Sequence, residues 1–278
     1  MLSGQFSRTA LGAAGHRAAH QVLEGGRIFA DPLALSILGE DAQAILAEAR
    51  ENPARRGLRL FIAARSRIAE EAVQRAIEEG ARQIVVLGAG LDTFAYRLDP
   101  IGDLRVFEVD HPATQAEKRR RLAAADIAPP AHLTFGPCDF ERDALAESLR
   151  AVGFDSDRRA FFIWLGVVPY LTEPAIFATL GFIAKLPGGE VVFDYANPVE
   201  TIADPASREL HERLSQRVAA AGEAFRSYFE TPVLHEKLRA LGFGEIEDLG
   251  PNRIAARYFP ERAPPGRTRG GHVVRARR

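Results

Sequence analysis

The chain has 278 residues, 46% of them hydrophobic and 26% charged, a composition typical of a soluble globular protein. Its formal net charge of −1 provides no global attraction to nucleic acid or to an anionic membrane. The single cysteine, Cys138, excludes an internal disulfide bond, and no apolar run reaches the ~18–20 residues of a membrane helix. We therefore expect a cytoplasmic protein without a nucleic-acid or membrane partner.

Helical spacing of apolar residues dominates the first 80 residues. It predicts four helices, over 1–25, from Asp31-Pro32 through Leu38, over 41–50 and from Arg55 to Glu79. Asp31 and Pro32 would supply the N-cap and the first helical residue of the second helix. Gly80 would end the fourth helix in the way that glycine often does.

Strand and helix patterns alternate from residue 81 onward. Strands are expected at 83–87, 104–109, 132–136, 160–165 and 190–195, and helices near 112–126, 141–151, 173–185 and 205–221. A helix at 232–241, strands at 245–249 and 272–276, and a surface loop at 260–271 complete the pattern. This alternation predicts an α/β fold with a doubly wound, mostly parallel sheet of seven strands.

A single domain over residues 1–278 is the expected organisation. Its four parts would be a helical cap and lead-in helix (1–80), a cofactor-binding core (81–195), a lid insertion (196–232), and a C-terminal helix with edge strands (233–278). The cap and the lid should cover the C-terminal edge of the sheet, where ligands bind in open α/β folds.

A glycine-containing turn follows the first predicted strand. Gly88 and Gly90 come directly after the apolar run Ile84–Leu87, and an acidic residue, Asp110, ends the next strand about 20 residues later. This order is typical of nucleoside-binding half-folds, in which the glycines allow close approach of the ligand and the acid accepts hydrogen bonds from a ribose.

The residues after the glycines narrow the choice of nucleoside. Thr93 occupies the third position of a Gly-x-Gly-x-x-Gly pattern, so the dinucleotide fingerprint is incomplete, and no Gly-Lys-Ser/Thr follows. Asp92 follows the turn at once and no basic residue lies within it, which favours the sulfonium cofactor S-adenosylmethionine over a pyrophosphate. On the turn alone, a dinucleotide or a purely structural turn remains open.

The segments Gly-Ala-Gly-Leu-Asp-Thr-Phe-Ala-Tyr-Arg-Leu (88–98) and Phe-Glu-Val-Asp-His-Pro (107–112) resemble the leucine carboxyl methyltransferase superfamily. The most similar branch is the bacterial class I S-adenosylmethionine-dependent methyltransferases that include polyketide O-methyltransferases. Further matching segments lie at 7–10, 28–32, 65–67, 138–140 and 164–171. The resemblance implies a Rossmann-like class I fold, S-adenosylmethionine as cofactor, and O-methylation of a small-molecule or carboxylate acceptor.

The resemblance also implies roles for residues around the turn. Gly88 and Gly90 would pass under the methionine part of the cofactor, with Asp92 beside them. Asp110 would accept both ribose hydroxyls, as an ionised carboxylate can. Glu108 is the rival for that role, because it lies two residues earlier on the same face of the strand.

Three more residues are implied to bind the cofactor. Asp139 would accept from the adenine amino group and Phe140 would pack on the ring, although Asp139 could instead be the N-cap of the helix at 141–151. Arg65 lies on the apolar face of the long helix and would bind the cofactor's carboxylate, the alternative being an internal salt bridge. Arg8 could serve the cofactor or an acidic substrate.

The loop after the fourth strand departs from the family pattern. Leu165 stands where many relatives have a glutamate near the methyl donor, so no acid or base is assigned there. Leu165 would contact the cofactor, and together with Trp164 and Tyr170 it would line an apolar wall. The seven histidines show no metal-ligand spacing, so no metal is expected.

No catalytic base is evident, and Tyr195 and His111 are the candidates. A carboxylate acceptor is already ionised at pH 7 and needs no base, whereas a phenol or alcohol would benefit from one. The lack of a base therefore favours an acidic acceptor. A nicotinamide-dependent oxidoreductase and a catalytically silent nucleoside-binding protein are the alternatives, and neither the acceptor nor the oligomeric state follows from the sequence.

Overall fold

The computed structural model describes residues 6–99, 101–260 and 270–278. Three helices precede the sheet: α1 (Arg8–Leu23), α2 (Asp41–Glu51) and α3 (Arg56–Glu78). Ser7 is the N-cap of α1, where its side chain accepts a hydrogen bond from the Ala10 amide. These bounds confirm three of the four helices predicted in the first 80 residues.

The helix predicted from Asp31 is wrong. The chain forms turns there and only a short 3-10 segment, Ser36–Leu38. The Asp31 carboxylate accepts hydrogen bonds from Arg17 Nε at 3.1 Å and from the Thr93 hydroxyl at 2.8 Å. This buried carboxylate joins α1 to the glycine turn. Its Oδ1 also accepts a hydrogen bond from the Leu33 amide at 3.2 Å, a local capping contact, but the turns that follow do not form an α-helix.

Seven strands form one sheet in the order β3-β2-β1-β4-β5-β7-β6. Their bounds are β1 Gln83–Leu87, β2 Arg105–Asp110, β3 Leu133–Pro137, β4 Ala160–Trp164, β5 Glu190–Ala196, β6 Glu245–Leu249 and β7 Gly271–Arg277. The first five are parallel, and β7 runs antiparallel to both β5 and β6. The predicted doubly wound, mostly parallel sheet is confirmed, including the two late strands at one edge.

The remaining helices connect and cover the strands. They are α4 Phe94–Arg97, α5 Pro112–Ala124, α6 Leu145–Ala151, α7 Glu173–Ile183, α8 Pro205–Ala220, α9 Thr231–Leu241 and α10 Pro251–Tyr258. The sequence did not predict α10, which follows β6 directly. Most of the loop predicted at 260–271 lies outside the described residues. Among the described helices, none has both the length and the apolar character needed to cross a membrane.

Each face of the sheet carries its own hydrophobic core, because successive side chains of a strand point to opposite faces. In β4, Phe161 and Ile163 pack on the face that α3 covers, with Val73. Phe162 and Trp164 pack on the other face, against α7 and α9. Burial on both faces explains why the parallel strands read as continuous apolar runs.

A buried ion pair lies between β2 and α5. Lys118 Nζ is 2.6 Å from Glu108 Oε2, and both side chains are 1% exposed. Burial raises the pKa of Glu108 to about 7, although the charge of Lys118 opposes the shift. Glu108 therefore faces α5 in the protein interior. Its carboxyl group is occupied there, which leaves Asp110 as the candidate for the ribose.

Replacing Lys118 with methionine should lower the free energy of unfolding by about 3–5 kcal/mol, because the Glu108 carboxyl loses its buried partner. The double variant Glu108→Leu/Lys118→Met should lose much less, since it leaves no buried charge. Urea denaturation of the three proteins measures both effects. A double variant as unstable as Lys118→Met would contradict this account of the pair.

Candidate functional site

A cavity of about 1470 Å³ opens at the C-terminal ends of the parallel strands. Its walls come from α1, α3, α8 and α10, and its floor is formed by the glycine turn and the loops after β2, β3 and β4. Small-molecule sites usually occupy about 300–1,000 Å³. The cavity therefore has room for a nucleoside cofactor and a second molecule, in the part of the sheet where open α/β folds bind ligands.

The glycine turn after β1 needs glycine at both positions. Gly88 has φ +63° and Gly90 has φ +49°, in the left-handed region that side chains disfavour. A Cβ on Gly88 would lie 2.2 Å from Cγ2 of Val167, and one on Gly90 would lie 3.0 Å from the Cβ of Ala10. The turn is thus packed between α1 and the loop after β4.

Asp110 joins the turn to the end of β2. Its Oδ2 accepts a hydrogen bond from the Gly90 amide at 2.5 Å, and its Oδ1 accepts one from the His111 amide at 2.6 Å. Burial raises the pKa of Asp110 to about 6, against the opposing effect of these two amides. The carboxylate lines the cavity and has lone pairs left for further donors.

The other acids of the floor shape their own loops. Asp92 Oδ1 accepts from the Phe94 amide at 2.7 Å at the start of α4. Asp139 Oδ1 accepts from the Glu141 amide at 3.1 Å and lines the cavity beside Phe140. The alternative of Asp139 as a helix N-cap is wrong, because α6 begins only at Leu145, where the N-cap side chain makes no hydrogen bond.

Arg65 forms the internal salt bridge considered above as its alternative role. Its Nη1 donates to Asp194 Oδ2 at 2.8 Å, and Asp194 Oδ1 accepts from the Gly166 amide at 2.5 Å. The buried Nε of Arg65 has no hydrogen-bond partner among the described residues. Arg65 therefore lines the cavity with a donor to spare, held by an acid that the sequence reasoning did not single out.

Neither candidate base offers a free basic atom. The Tyr195 hydroxyl donates to Asp248 Oδ2 at 2.7 Å, and burial raises the pKa of this phenol, with the charge of Asp248 acting in the same direction. His111 is the N-cap of α5, where its Nδ1 accepts from the Ala113 amide at 3.2 Å. Nε2 of the neutral ring then carries the proton and is a donor.

Of the three residues predicted to form an apolar wall, two line the cavity. Leu165 and Tyr170 line the cavity. Trp164 does not, because the alternation of β4 turns it to the opposite face, where it is fully buried near Phe140 and Phe193. Over the described residues, no group of three His, Cys, Asp or Glu side chains could hold a metal ion.

The structure also shows a contact across the rim of the cavity that the sequence did not predict. Glu223, in the predicted lid, accepts hydrogen bonds from the Ser7 hydroxyl at 3.2 Å, the Arg8 amide at 3.1 Å and the Thr9 amide at 3.0 Å. These bonds satisfy free amides at the start of α1. No local sequence signal indicates them, because the partners are more than 200 positions apart.

Comparisons with known proteins agree on one family. The model of the leucine carboxyl methyltransferase family matches residues 10–184. "Putative S-adenosyl-L-methionine-dependent methyltransferase YktD" of Bacillus subtilis (strain 168) is 37% identical over 202 residues, covering 72% of this chain and 66% of that protein. A protein described in the same words from Mycobacterium avium (strain 104) is 36% identical over 158 residues, covering 56% and 52%. The chain thus spans about half to two thirds of the length of these relatives.

Solved structures show the same fold at lower identity. A putative methyltransferase from Thermobifida fusca YX has a TM-score of 0.59 and 20% identity, covering 100% of this chain and 96% of that one. A DUF574 family protein from Streptomyces avermitilis has a TM-score of 0.57 and 18% identity, with coverages of 95% and 96%.

Alanine at Gly88 should destabilise the protein more than alanine at Gly102. Both glycines have φ above +60°, so both substitutions incur the left-handed strain of about 1–2 kcal/mol. Gly102 has open space around its Cβ position, whereas the new methyl group at Gly88 must displace Val167, which adds about 1–3 kcal/mol. Equal losses of unfolding free energy in urea would contradict the packing described for the turn.

Proposed function

We propose that this chain transfers a methyl group to an oxygen atom of a small-molecule acceptor, with carboxylates as the favoured class. The chain belongs to the leucine carboxyl methyltransferase family of class I S-adenosylmethionine-dependent methyltransferases. Its cofactor is S-adenosylmethionine. The observation that carries the proposal is the junction of the glycine turn with the buried Asp110 carboxylate on the floor of a cavity large enough for two ligands.

The residues on the floor fit this cofactor. Asp110 has unused lone pairs suited to ribose hydroxyls, and Arg65 has a buried, unpartnered Nε suited to the methionine carboxylate. Asp92 beside the turn would repel a pyrophosphate but tolerates a sulfonium. Gly88 and Gly90 would lie under the methionine part, and Leu165 would form part of the wall.

The adenine would lie at the end of β3. Asp139 lines the cavity there and, with one carboxylate oxygen bonded to its own turn, keeps acceptor capacity for the adenine amino group. Phe140 lies beside it, partly buried, and would pack on the ring. These two roles extend the proposal to the whole cofactor.

S-adenosylmethionine supplies, when bound, a methyl group already activated by its sulfonium. The chain's own contribution would be to orient donor and acceptor and to exclude water under the cap and lid. A carboxylate acceptor needs no proton removed at pH 7. The engaged Tyr195 hydroxyl and the donor Nε2 of His111 support this class, because neither atom is placed to accept a proton.

The oxidoreductase alternative is not favoured. Thr93 is buried at the third position of the glycine pattern, and its hydroxyl donates to Asp31. A dinucleotide site needs glycine there for tight packing of helix on strand. The silent nucleoside-binding protein remains as an outcome of the test below.

The proposal is tested by incubating the protein with S-adenosylmethionine carrying a labelled methyl group and a panel of carboxylic acids, each matched with a phenol and an alcohol of similar size. We expect label in esters that release methanol in alkali. Transfer to phenols alone would refute the acid acceptor. Binding of S-adenosylhomocysteine without transfer to any acceptor would indicate a silent binding protein.

The affinity for S-adenosylhomocysteine should depend on pH through Asp110. Ribose hydroxyls donate to the ionised carboxylate, so binding should be strongest above the pKa of about 6 and weaken by up to about tenfold per pH unit below it. Calorimetric titrations at several pH values measure this slope. The Asp110→Asn variant should bind weakly without the slope, and a flat wild-type profile would contradict the ribose role.

Replacing Arg65 with glutamine should weaken S-adenosylhomocysteine binding by about tenfold or more, since a charge-assisted hydrogen bond to the carboxylate is lost. Arg67→Gln is the matched control, because Arg67 lies on the same helix but is exposed and paired with Glu71. Circular dichroism verifies that both variants fold. A folded Arg65→Gln protein with wild-type affinity would contradict the assignment.

A further inference from the structure

One wall of the cavity carries more positive than negative charge. It is formed by His16 of α1, Arg55 just before α3 and Arg217 of α8, all of which line the cavity. Arg55 pairs through Nη1 with the exposed Glu48, while its buried Nε has no hydrogen-bond partner among the described residues. Within the part of the chain that the structure describes, Arg217 has no carboxylate within salt-bridge distance.

His16 lies at the centre of this wall and is 8% exposed. Its Nε2 is 3.5 Å from Nη2 of Arg55. Burial, together with Arg55, Arg59, Arg65 and Arg217, lowers the pKa of His16 to about 3, so the ring is neutral at pH 7. Arg55 thus lies beside the ring, and Arg217 lines the same cavity.

Two of these guanidinium groups are paired with buried carboxylates. Arg59 donates from Nε and Nη2 to both carboxylate oxygens of Glu24 at 2.8 Å, and Arg65 is paired with Asp194. Arg217 and Arg55 remain, and both residues line the cavity. Arg217 is exposed and has no carboxylate partner among the described residues, and unpaired positive charge along a cleft attracts anions.

We propose that His16, Arg55 and Arg217 form an anion-binding subsite for the acceptor, which takes an oxyanion such as a carboxylate or a phosphate. This inference rests on the proposed function, because it assumes that the acceptor enters this cavity. Guanidinium groups bind such oxyanions through paired charge-assisted hydrogen bonds, and the neutral His16 ring adds a further polar contact.

The subsite differs from the residues proposed for the cofactor. Arg217 belongs to α8, in the segment 196–232, which contains none of the cofactor candidates. Loss of its charge should therefore weaken binding of an anionic acceptor and leave the affinity for S-adenosylhomocysteine unchanged. The subsite would select acceptors by charge, through residues other than those proposed for the cofactor.

The experiment titrates the full chain calorimetrically with phenylacetate, phenyl phosphate and the neutral phenylacetamide, in the presence of saturating S-adenosylhomocysteine. We expect one of the two anions to bind at least about tenfold more tightly than the amide. Comparison of the two anions identifies carboxylate or phosphate as the preferred group.

The variants Arg217→Gln and Arg55→Gln should each weaken binding of the preferred anion by about tenfold and leave the amide unaffected. Arg213→Gln is the matched control, because Arg213 lies one turn earlier on α8, also lines the cavity and is paired with Glu209 at 2.6 Å. It should change the affinity by less than about twofold.

Three results would overturn the subsite: equal affinity for anions and amide, no binding of either anion, or a loss in Arg213→Gln as large as that in Arg217→Gln. The titration with S-adenosylhomocysteine in the same samples separates the two proposals. Failure of the wild-type chain to bind it would refute the proposed function, whereas wild-type binding with no anion preference would refute only the subsite.

Discussion

The site depends on one buried group, the carboxylate of Asp110. It accepts hydrogen bonds from the Gly90 amide and the His111 amide, and so fixes the glycine turn after β1 to the end of β2 and the start of α5. The buried position raises the pKa of Asp110 to about 6. The floor of a large cavity thus holds a carboxyl group whose ionised form would be stabilised by further hydrogen-bond donors.

A second carboxylate organises the opposite side of the floor. Asp194 binds the Gly166 amide and Arg65, which ties the loop after β4 to the long helix α3. Gly166 has φ +71°, and a Cβ there would lie 2.7 Å from Nη2 of Arg65. The arginine is therefore fixed in place before any ligand arrives, a form of preorganisation that lowers the entropy lost on binding.

The sequence predicted the strands well because both faces of the sheet are buried, and β1 and β6 have the bounds that the pattern predicts. Predictions were wrong where a distant partner overrides a local signal. Asp31 accepts from the nearby Leu33 amide as an N-cap does, but Arg17 and Thr93 also bind its carboxylate and no α-helix follows. The Arg65–Asp194 pair joins residues 129 positions apart, so no local pattern could indicate it.

The junction at Asp110 is proposed to bind the ribose of S-adenosylmethionine. A crystal structure of the protein with S-adenosylhomocysteine would show the position of the ribose. We predict ribose hydroxyls within hydrogen-bond distance of the Asp110 carboxylate and the homocysteine carboxylate within hydrogen-bond distance of Arg65. Density for the ligand elsewhere in the cavity, with both side chains unengaged, would contradict the claim.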